Sequence, residues 1–280
     1  CTGSCVITDV KTGAIKALVS YPGYDNNKLA NGVDAEYFAS LNEDNSNPQY
    51  NYATQERTAP GSTFKMVSAT AGLSEGVISL GTQIECKGIF KDISNEPKCW
   101  IYPHGSHGKI NVSEAIRDSC NVFFYTVGYK LSTKDSLKST YNDANGIKYI
   151  QKYAKVYGLD QTTGLEIVEN KSELATEFPV MAAIGQSNNN ITTVALSRYV
   201  TAVASGKLYK YQLMNKIVDN DGNVVKEYKS DYEDISGTLA SEQWDGIHKG
   251  MRMVCESLDS FNDFDIQIAG KTGTAQQVEN

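Results

Sequence analysis

ERTAPGSTFKMVSATAGL, residues 56–73, carries at its centre Ser62-Thr63-Phe64-Lys65. Pro60 and Gly61 end whatever precedes them, so a helix is expected from Ser62. Apolar residues at 64, 67, 71 and 73 fit its buried face. A serine at a helix start is ordinarily only an N-cap. The lysine three residues on offers a second reading, because positions i and i+3 share a face. A desolvated lysine can lose its charge and accept the proton of a hydroxyl, which turns the serine into a nucleophile. The same helix start presents backbone N–H groups to a developing oxyanion. Lys65 is expected at the mouth of such a site, contributing little to the core.

The chain has 280 residues and a net charge of −7, enough length to bury a real core. No run of Lys or Arg supplies the basic stripe of a nucleic-acid binder. No stretch of about 18 apolar residues would cross a membrane. Cys1 opens abruptly into a strand-like run, and no signal peptide is visible in the sequence. The expectation is one domain over residues 1–280, trimmed at both ends of a longer protein. Six cysteines, at 1, 5, 86, 99, 120 and 255, are too unevenly spaced to define a disulfide framework.

Around the opening stretch the pattern alternates between strand and helix. SCVITDVKTGAIKALVS reads as a hairpin turning at Lys11-Thr12-Gly13, and NKIVDNDGNVVKEY as a second, turning at Asp221-Gly222. Residues 24–58 read as loop with short helices. Helical periodicity runs from a cap at Ser113 through Ile116 to Tyr125, over residues 146–158, up to Gly206, and through SEQWDGIHKGMRMVCES. Phe264, Ile266 and Ile268 alternate as in a strand that leads into Gly270. The mixture predicts an α+β, layered fold: an antiparallel sheet flanked by helices, with a helix-rich middle.

S-x-x-K alone is weak, and a second copy stands at Ser106 and Lys109. S-x-N occurs at Ser40, Ser119, Ser187 and Ser260, and K-T-G at Lys11 and Lys271. Order and setting choose among them. Ser119-Cys120-Asn121 follows Ser62 inside an amphipathic segment, and Lys271-Thr272-Gly273 ends the expected last strand; Lys11 sits in a turn. These three elements in this order form a known serine-acyltransferase signature.

RTAPGSTFKMVSATAGL, SEAIRDSCNVFFYTVG and IAGKTGTAQQ resemble the three motif regions of penicillin-binding protein transpeptidase domains. YAKVYGLDQTTGLEI and AAIGQSNNNITTVALSRYVTAVASGKLY are similar to the text between them, and NYATQERTAPGSTFK to class B, elongation-type members. The resemblance implies the serine-acyltransferase, penicillin-recognising fold and a peptidoglycan D,D-transpeptidase. D-alanyl-D-alanine stem peptides and β-lactams would be the acylating partners. It implies Ser62 as nucleophile, Lys65 as base, Ser119 as proton relay, Asn121 as holder of the substrate amide and of Lys65, and Lys271 as positive potential. Thr272 and Thr274 would bind the terminal carboxylate, Gly273 would clear space for substrate, and the N–H groups of Ser62 and Thr274 would form the oxyanion hole. The parent protein would be membrane-anchored among other cell-wall synthesis proteins, with this domain on the extracytoplasmic face. The family continues past K-T-G into two strands and a helix, whereas this sequence stops at Asn280. Two rivals share the nucleophile: a serine β-lactamase, with Glu166 or Glu169 as deacylating base, and a non-catalytic β-lactam sensor.

Cys86, Cys99, His104 and His107 fall within one irregular stretch. Two thiolates and two imidazoles make a competent tetrahedral zinc set, with Asp92 as a substitute for His104. A Cys86–Cys99 disulfide and plain free thiols are the competing readings. Such a zinc would be structural, since acyl transfer needs no cofactor. Cys120 is read as a small residue packed behind the site.

Overall fold

The computed structural model describes residues 1–135 and 140–275. In chain order, β1 (Gly3–Thr8) and β2 (Ile15–Tyr21) form the first expected hairpin. Its turn is closed by the Asp9 side chain, which accepts the Lys11 N–H at 2.8 Å, so the Lys11 copy of K-T-G is a turn. The short α1 (Ala35–Glu43) follows, N-capped by Asp34, and then β3 (Arg57–Thr58). Residues Gly61–Phe64 make one 3-10 turn that runs directly into α2 (Lys65–Ser74). Side chains at i and i+3 eclipse in a 3-10 turn, so Ser62 and Lys65 still share a face.

The ribbon of β4 (Ile84–Cys86) and β5 (Gly108–Ile110) pairs Cys86 with Gly108. α3 (Val112–Arg117) starts two residues earlier than expected. Asn111, not Ser113, is its cap: Asn111 and Glu114 form a reciprocal capping box, while the Ser113 hydroxyl donates to the Gly246 carbonyl at 2.6 Å. The helix expected through Tyr125 is in fact broken. Ser119 takes φ +49° and Cys120 is extended, after which α4 (Asn121–Thr133) begins. Periodicity could not show this break, because α3 and α4 both continue the same apolar pattern.

α5 (Asp143–Val156) ends just before Gly158, as its pattern predicts, and α6 (Pro179–Ala182) is a single turn. β6 (Ile191–Thr192) leads into α7 (Thr193–Ser205), which stops at Gly206 with φ +70°. β7 (Lys207–Lys210), the hairpin of β8 (Lys216–Val218) and β9 (Val224–Glu227), β10 (Asp231–Asp234) and α8 (Ser241–Glu256) complete the order. Every sheet among the described residues is an antiparallel pair: β1–β2, β3–β6, β4–β5, β7–β10 and β8–β9.

The strand expected over Phe264–Gly270 is not there among the described residues. Phe264 and Ile266 are 55% and 71% exposed, so their alternation marks no buried face. The segment is instead tied to α8, through the Arg252 guanidinium to the Ile268 carbonyl (2.8 Å) and Gly270 N–H to the Met251 carbonyl (3.0 Å). Alternation predicts a strand only where a ladder partner accepts it. Gln276 and Gln277, quoted with the last sequence element, lie outside the described residues.

The chain divides into two compact units. The first holds Cys1–Thr58, Gln161–Ser172 and Ile191–Asp234, cored by Val194, Tyr209 and Tyr211 against Val6, Ile15, Leu18 and Leu165. The second holds Ala59–Asp160, Glu173–Asn190 and Ile235–Asn280. Its centre is α2, buried on every side from Lys65 to Leu73, as a helix enclosed by others must be. Polar groups on α2 are answered: the Ser68 hydroxyl donates to the Ala183 carbonyl at 2.6 Å, and Thr70 bonds the Tyr157 hydroxyl at 2.7 Å. At the end of α2, burial alone would raise the Glu75 carboxyl. Hydrogen bonds from Lys134, Lys152 and Tyr153 outweigh it and bring it down to about 2.

Candidate active site

In the second unit a pocket of about 630 Å³ brings Ser62, Ser119, Asn121, Thr272 and Thr274 to one surface. Ser62 comes from the 3-10 turn, Ser119 and Asn121 from the break between α3 and α4, and the threonines from the extended terminal segment. The break matters chemically. With Ser119 in a left-handed conformation and Cys120 extended, the residues on either side of Cys120 both turn towards Lys65.

Lys65 is fully buried, not at the mouth as its sequence position suggested. The helix that carries it is central to the unit, so only the tip of the side chain can serve the site. Its Nζ donates to the Ser119 carbonyl (2.7 Å), the Ser119 hydroxyl (3.1 Å) and the Asn121 side-chain carbonyl (2.7 Å). Of these three partners only the hydroxyl can reverse the bond and donate to a neutral amine. Burial, then repulsion from Lys271, brings the Lys65 ammonium down to about 7, against an opposing pull from Cys120 and Cys99. Burial also lowers Lys271, to about 8. Its Nζ donates to the Thr272 carbonyl at 3.0 Å and to the Thr272 hydroxyl at 3.3 Å. The arrangement holds a hydroxyl in an open pocket, a base near neutrality beneath it, and a second hydroxyl wired to that base. That is the inventory acyl transfer requires.

Two glycines hold the layers of this site together. Gly61, at φ +53°, donates its N–H to the Gly185 carbonyl at 3.0 Å. A Cβ on Gly61 would lie 2.2 Å from the Thr274 carbonyl oxygen, and one on Gly185 2.1 Å from that of Gly61. Three backbone segments therefore stack with no room for side chains, which sets the amide of Ser62 beside the segment carrying Thr274. A Cβ on Gly273 would lie 2.9 Å from the Thr63 methyl.

Behind the pocket, Cys86, Cys99, His107 and Cys120 place one ligand atom each within 4.8 Å of one another. The β4–β5 ribbon sets Cys86 beside His107, and the bond from Cys99 N–H to the Gly88 carbonyl (2.8 Å) brings Cys99 in. His104 does not join the cluster: it is exposed, as is Asp92, and Cys120 takes its place. Cys120 is fully buried behind the site, as read from the sequence, and the α3–α4 break also turns it, between two site residues, towards Cys86, Cys99 and His107. Hydrogen bonds from Cys120 favour the thiolates of Cys86 and Cys99, and a buried His107 Nε2 has no hydrogen-bond partner. Thiolates and an orphaned imidazole nitrogen suit a divalent, zinc-like cation. All six cysteines are free thiols in this structure. The cluster also touches the site, since Cys99 Sγ accepts the backbone N–H of Asn121 at 3.3 Å.

Several lining residues had no place in the sequence reading: Trp100, Arg117, Asp118, Tyr125, Ile184, Gln186, Ser257 and Leu258. Arg117 and Asp118 immediately precede Ser119, and Tyr125 lies one helical turn beyond Asn121, so proximity to a motif was their signal. Trp100 and Leu258 carried none. Ser106 and Lys109, the second S-x-x-K, are exposed, and neither lines the pocket.

Residues 3–280 match the family described as the penicillin binding protein transpeptidase domain, and the chain belongs to that family. It is 28% identical over 300 residues to a peptidoglycan D,D-transpeptidase MrdA of Haemophilus influenzae, covering 98% of this chain and 43% of that protein. It is 26% identical to the MrdA of Escherichia coli, covering 97% of this chain and 44% of that one. The chain thus spans less than half the length of these curated relatives. The fold is also that of penicillin-binding protein A from Mycobacterium tuberculosis, solved as an imipenem acyl-enzyme complex. That likeness has a TM-score of 0.84 at 23% identity, over 99% of this chain and 62% of the other.

Proposed function

We propose that this chain is the acyl-transfer domain of a peptidoglycan D,D-transpeptidase of the class B, elongation type. One observation carries the reading: a fully buried lysine, near neutrality, bonded to both Ser119 and Asn121 beneath the pocket that Ser62 opens onto. Neutral Lys65 takes the proton of Ser62 as Oγ attacks the carbonyl between the two D-alanines of a stem peptide. The amides of Ser62 and Thr274 hold the oxyanion. Ser119 passes a proton from Lys65 to the departing amine, and free D-alanine leaves. An amine of a second stem peptide then attacks the ester, forms the new amide and restores the Ser62 hydroxyl. Thr272 and Thr274, under the positive potential of Lys271, receive the terminal carboxylate. A β-lactam enters as a mimic of the same substrate. The relatives' names, peptidoglycan D,D-transpeptidases, support a setting in cell-wall synthesis; the extracytoplasmic face and a membrane anchor in the parent protein belong to the proposal and rest on the family resemblance. No helix among the described residues is long and apolar enough to cross a membrane.

A β-lactamase reading finds no support in the glutamates. Glu166 accepts the Leu213 N–H and Glu169 accepts both the Thr163 N–H and hydroxyl, and neither lines the pocket. The deciding experiment is intact mass after penicillin treatment, with circular dichroism to show folded protein. A single adduct mapped to Ser62 is expected. No adduct on folded protein, or one on Ser106, overturns the assignment. A long-lived adduct separates the domain from a hydrolase, and transfer to an amine acceptor separates it from a sensor.

The Cys86, Cys99, His107 and Cys120 cluster is proposed to hold a structural zinc, with no part in the acyl chemistry. Bound only by the folded chain, the ion adds its binding free energy to stability. Protein purified without chelator is expected to contain about one zinc per chain, and to lose it, with a lower Tm, in the Cys86→Ser/Cys99→Ser double variant. Metal-free protein about two daltons lighter than the reduced chain would establish a disulfide instead.

A further inference from the structure

The first unit carries a pocket of its own, of about 660 Å³, lined by the end of α1 and by residues of the loop that follows it. It shares no residue with the acyl-transfer pocket. Four amides line it, Asn42, Asn47, Gln49 and Gln55, together with Tyr50 and Tyr52. The amides are held by one end. The Gln49 NH2 donates to the Asn42 side-chain carbonyl at 3.2 Å, the Asn47 NH2 donates to the Asn45 backbone carbonyl at 3.3 Å, and the Gln55 side-chain carbonyl accepts the Asn51 N–H at 3.2 Å. The opposite ends, NH2 on Asn42 and Gln55 and carbonyl on Asn47 and Gln49, have no hydrogen-bond partner among the described residues.

The loop beneath these amides is fixed. The Ser20 hydroxyl donates to the Tyr50 carbonyl at 3.1 Å and accepts the Tyr52 N–H at 2.9 Å. The Tyr52 hydroxyl donates to the Ser46 carbonyl at 2.7 Å, and the Asn51 side chain accepts the N–H groups of Ala53 and Thr54. Polar side chains on a loop pinned in this way are pre-set for a ligand. Tyr50 and Tyr52 pack edge to face, with centroids 5.1 Å apart and planes at 81°, which leaves at least one face of each ring clear of the other.

The lining also selects among ligands. Glu56 is its single charged side chain. An anion would meet that carboxylate with no cation to offset it, and a cation would meet the amide NH2 groups as well. An extended peptide docks by adding to a free strand edge, and no strand residue lines the pocket. Sugar hydroxyls are donors and acceptors at once, which matches amides that offer both. The C–H face of a pyranose lies well on a tyrosine ring, whose body is apolar and whose tip is polar.

We propose that this pocket binds a neutral oligosaccharide, the amino-sugar glycan to which stem peptides are attached. The proposal rests on the transpeptidase reading and adds to its substrate class a part of the polymer remote from the reacting bond.

The test titrates the chain with the β-1,4-linked tetramer of N-acetylglucosamine and follows the sugar ring protons by NMR. The native chain should bind it saturably with a Kd of about 1 mM, and the sugar C–H protons should move upfield, as protons over an aromatic face do. Asn42→Ala/Gln49→Ala, which changes two exposed side chains, should weaken binding about tenfold, the loss of one or two hydrogen bonds. Tyr50→Leu should remove much of the upfield shift. Circular dichroism shows that each variant is folded. No saturation by the native chain up to about 10 mM, or equal affinity in native chain and double variant, would overturn the site. So would displacement of the tetramer by a pentapeptide ending in D-alanyl-D-alanine, since the pocket would then take peptide. Failure of the reading beneath it shows separately, as the absence of a penicillin adduct on Ser62.

Discussion

Lys65→Met is expected to acylate at least about 100-fold more slowly than the native chain at neutral pH, the low end for loss of a general base. Methionine keeps most of the volume, which matters because the side chain is fully buried on the central helix. The native pH profile should carry the same signature. The Lys65 pKa is lowered to about 7, so the amine is neutral and able to take a proton above that pH. As pH falls through 7 it becomes an ammonium, and acylation should drop about tenfold per unit. The variant should lack that limb. Near-native acylation by folded Lys65→Met, or a native rate indifferent to pH between about 5 and 8, would place the base elsewhere.

Gly185→Ala is expected to destabilise the chain by at least about 3 kcal/mol and to abolish acylation, as severe backbone overlap does. Its φ of +74° disfavours any side chain, and the new Cβ would lie 2.1 Å from the Gly61 carbonyl oxygen. The damage would pass directly to Ser62 through Gly61. Gly76 is the control: its φ is +69°, but nothing lies within 4 Å of a Cβ there. Gly76→Ala should therefore cost only the left-handed penalty, about 1 kcal/mol. Equal losses in urea unfolding of the two variants would mean that the close approach at Gly185 is not what excludes a side chain.

Much of the site was legible because its residues are named by chemistry and order. Ser62, Ser119, Asn121, Thr272 and Thr274 line one pocket, and Lys65 bonds Ser119 and Asn121, although from full burial and not from the mouth its setting suggested. The helices and both hairpins were legible because each carries its own period and its own stop. Three things were not. The break at Ser119 is hidden inside an unbroken apolar pattern and is visible only in backbone angles. That Cys120 rather than His104 gathers with Cys86, Cys99 and His107 depends on that break, which residue type and spacing do not reveal. The segment before Lys271 alternates like a strand but is held by α8, since alternation describes side chains and not hydrogen-bond partners.

Each of the two units is assembled from three stretches of chain, interleaved with those of the other. The consequence falls on biosynthesis. Arg57 and Thr58 find their ladder partners only at Thr192 and Ile191, and the first unit is not complete until Asp234 has been made. Neither unit can close while the chain is still short, so the nascent polypeptide must carry unpaired edges and uncovered apolar faces for most of its synthesis. Non-local pairing of this kind slows folding and exposes the chain to aggregation. A protein built this way depends on what surrounds it as it emerges as much as on the stability of its finished core.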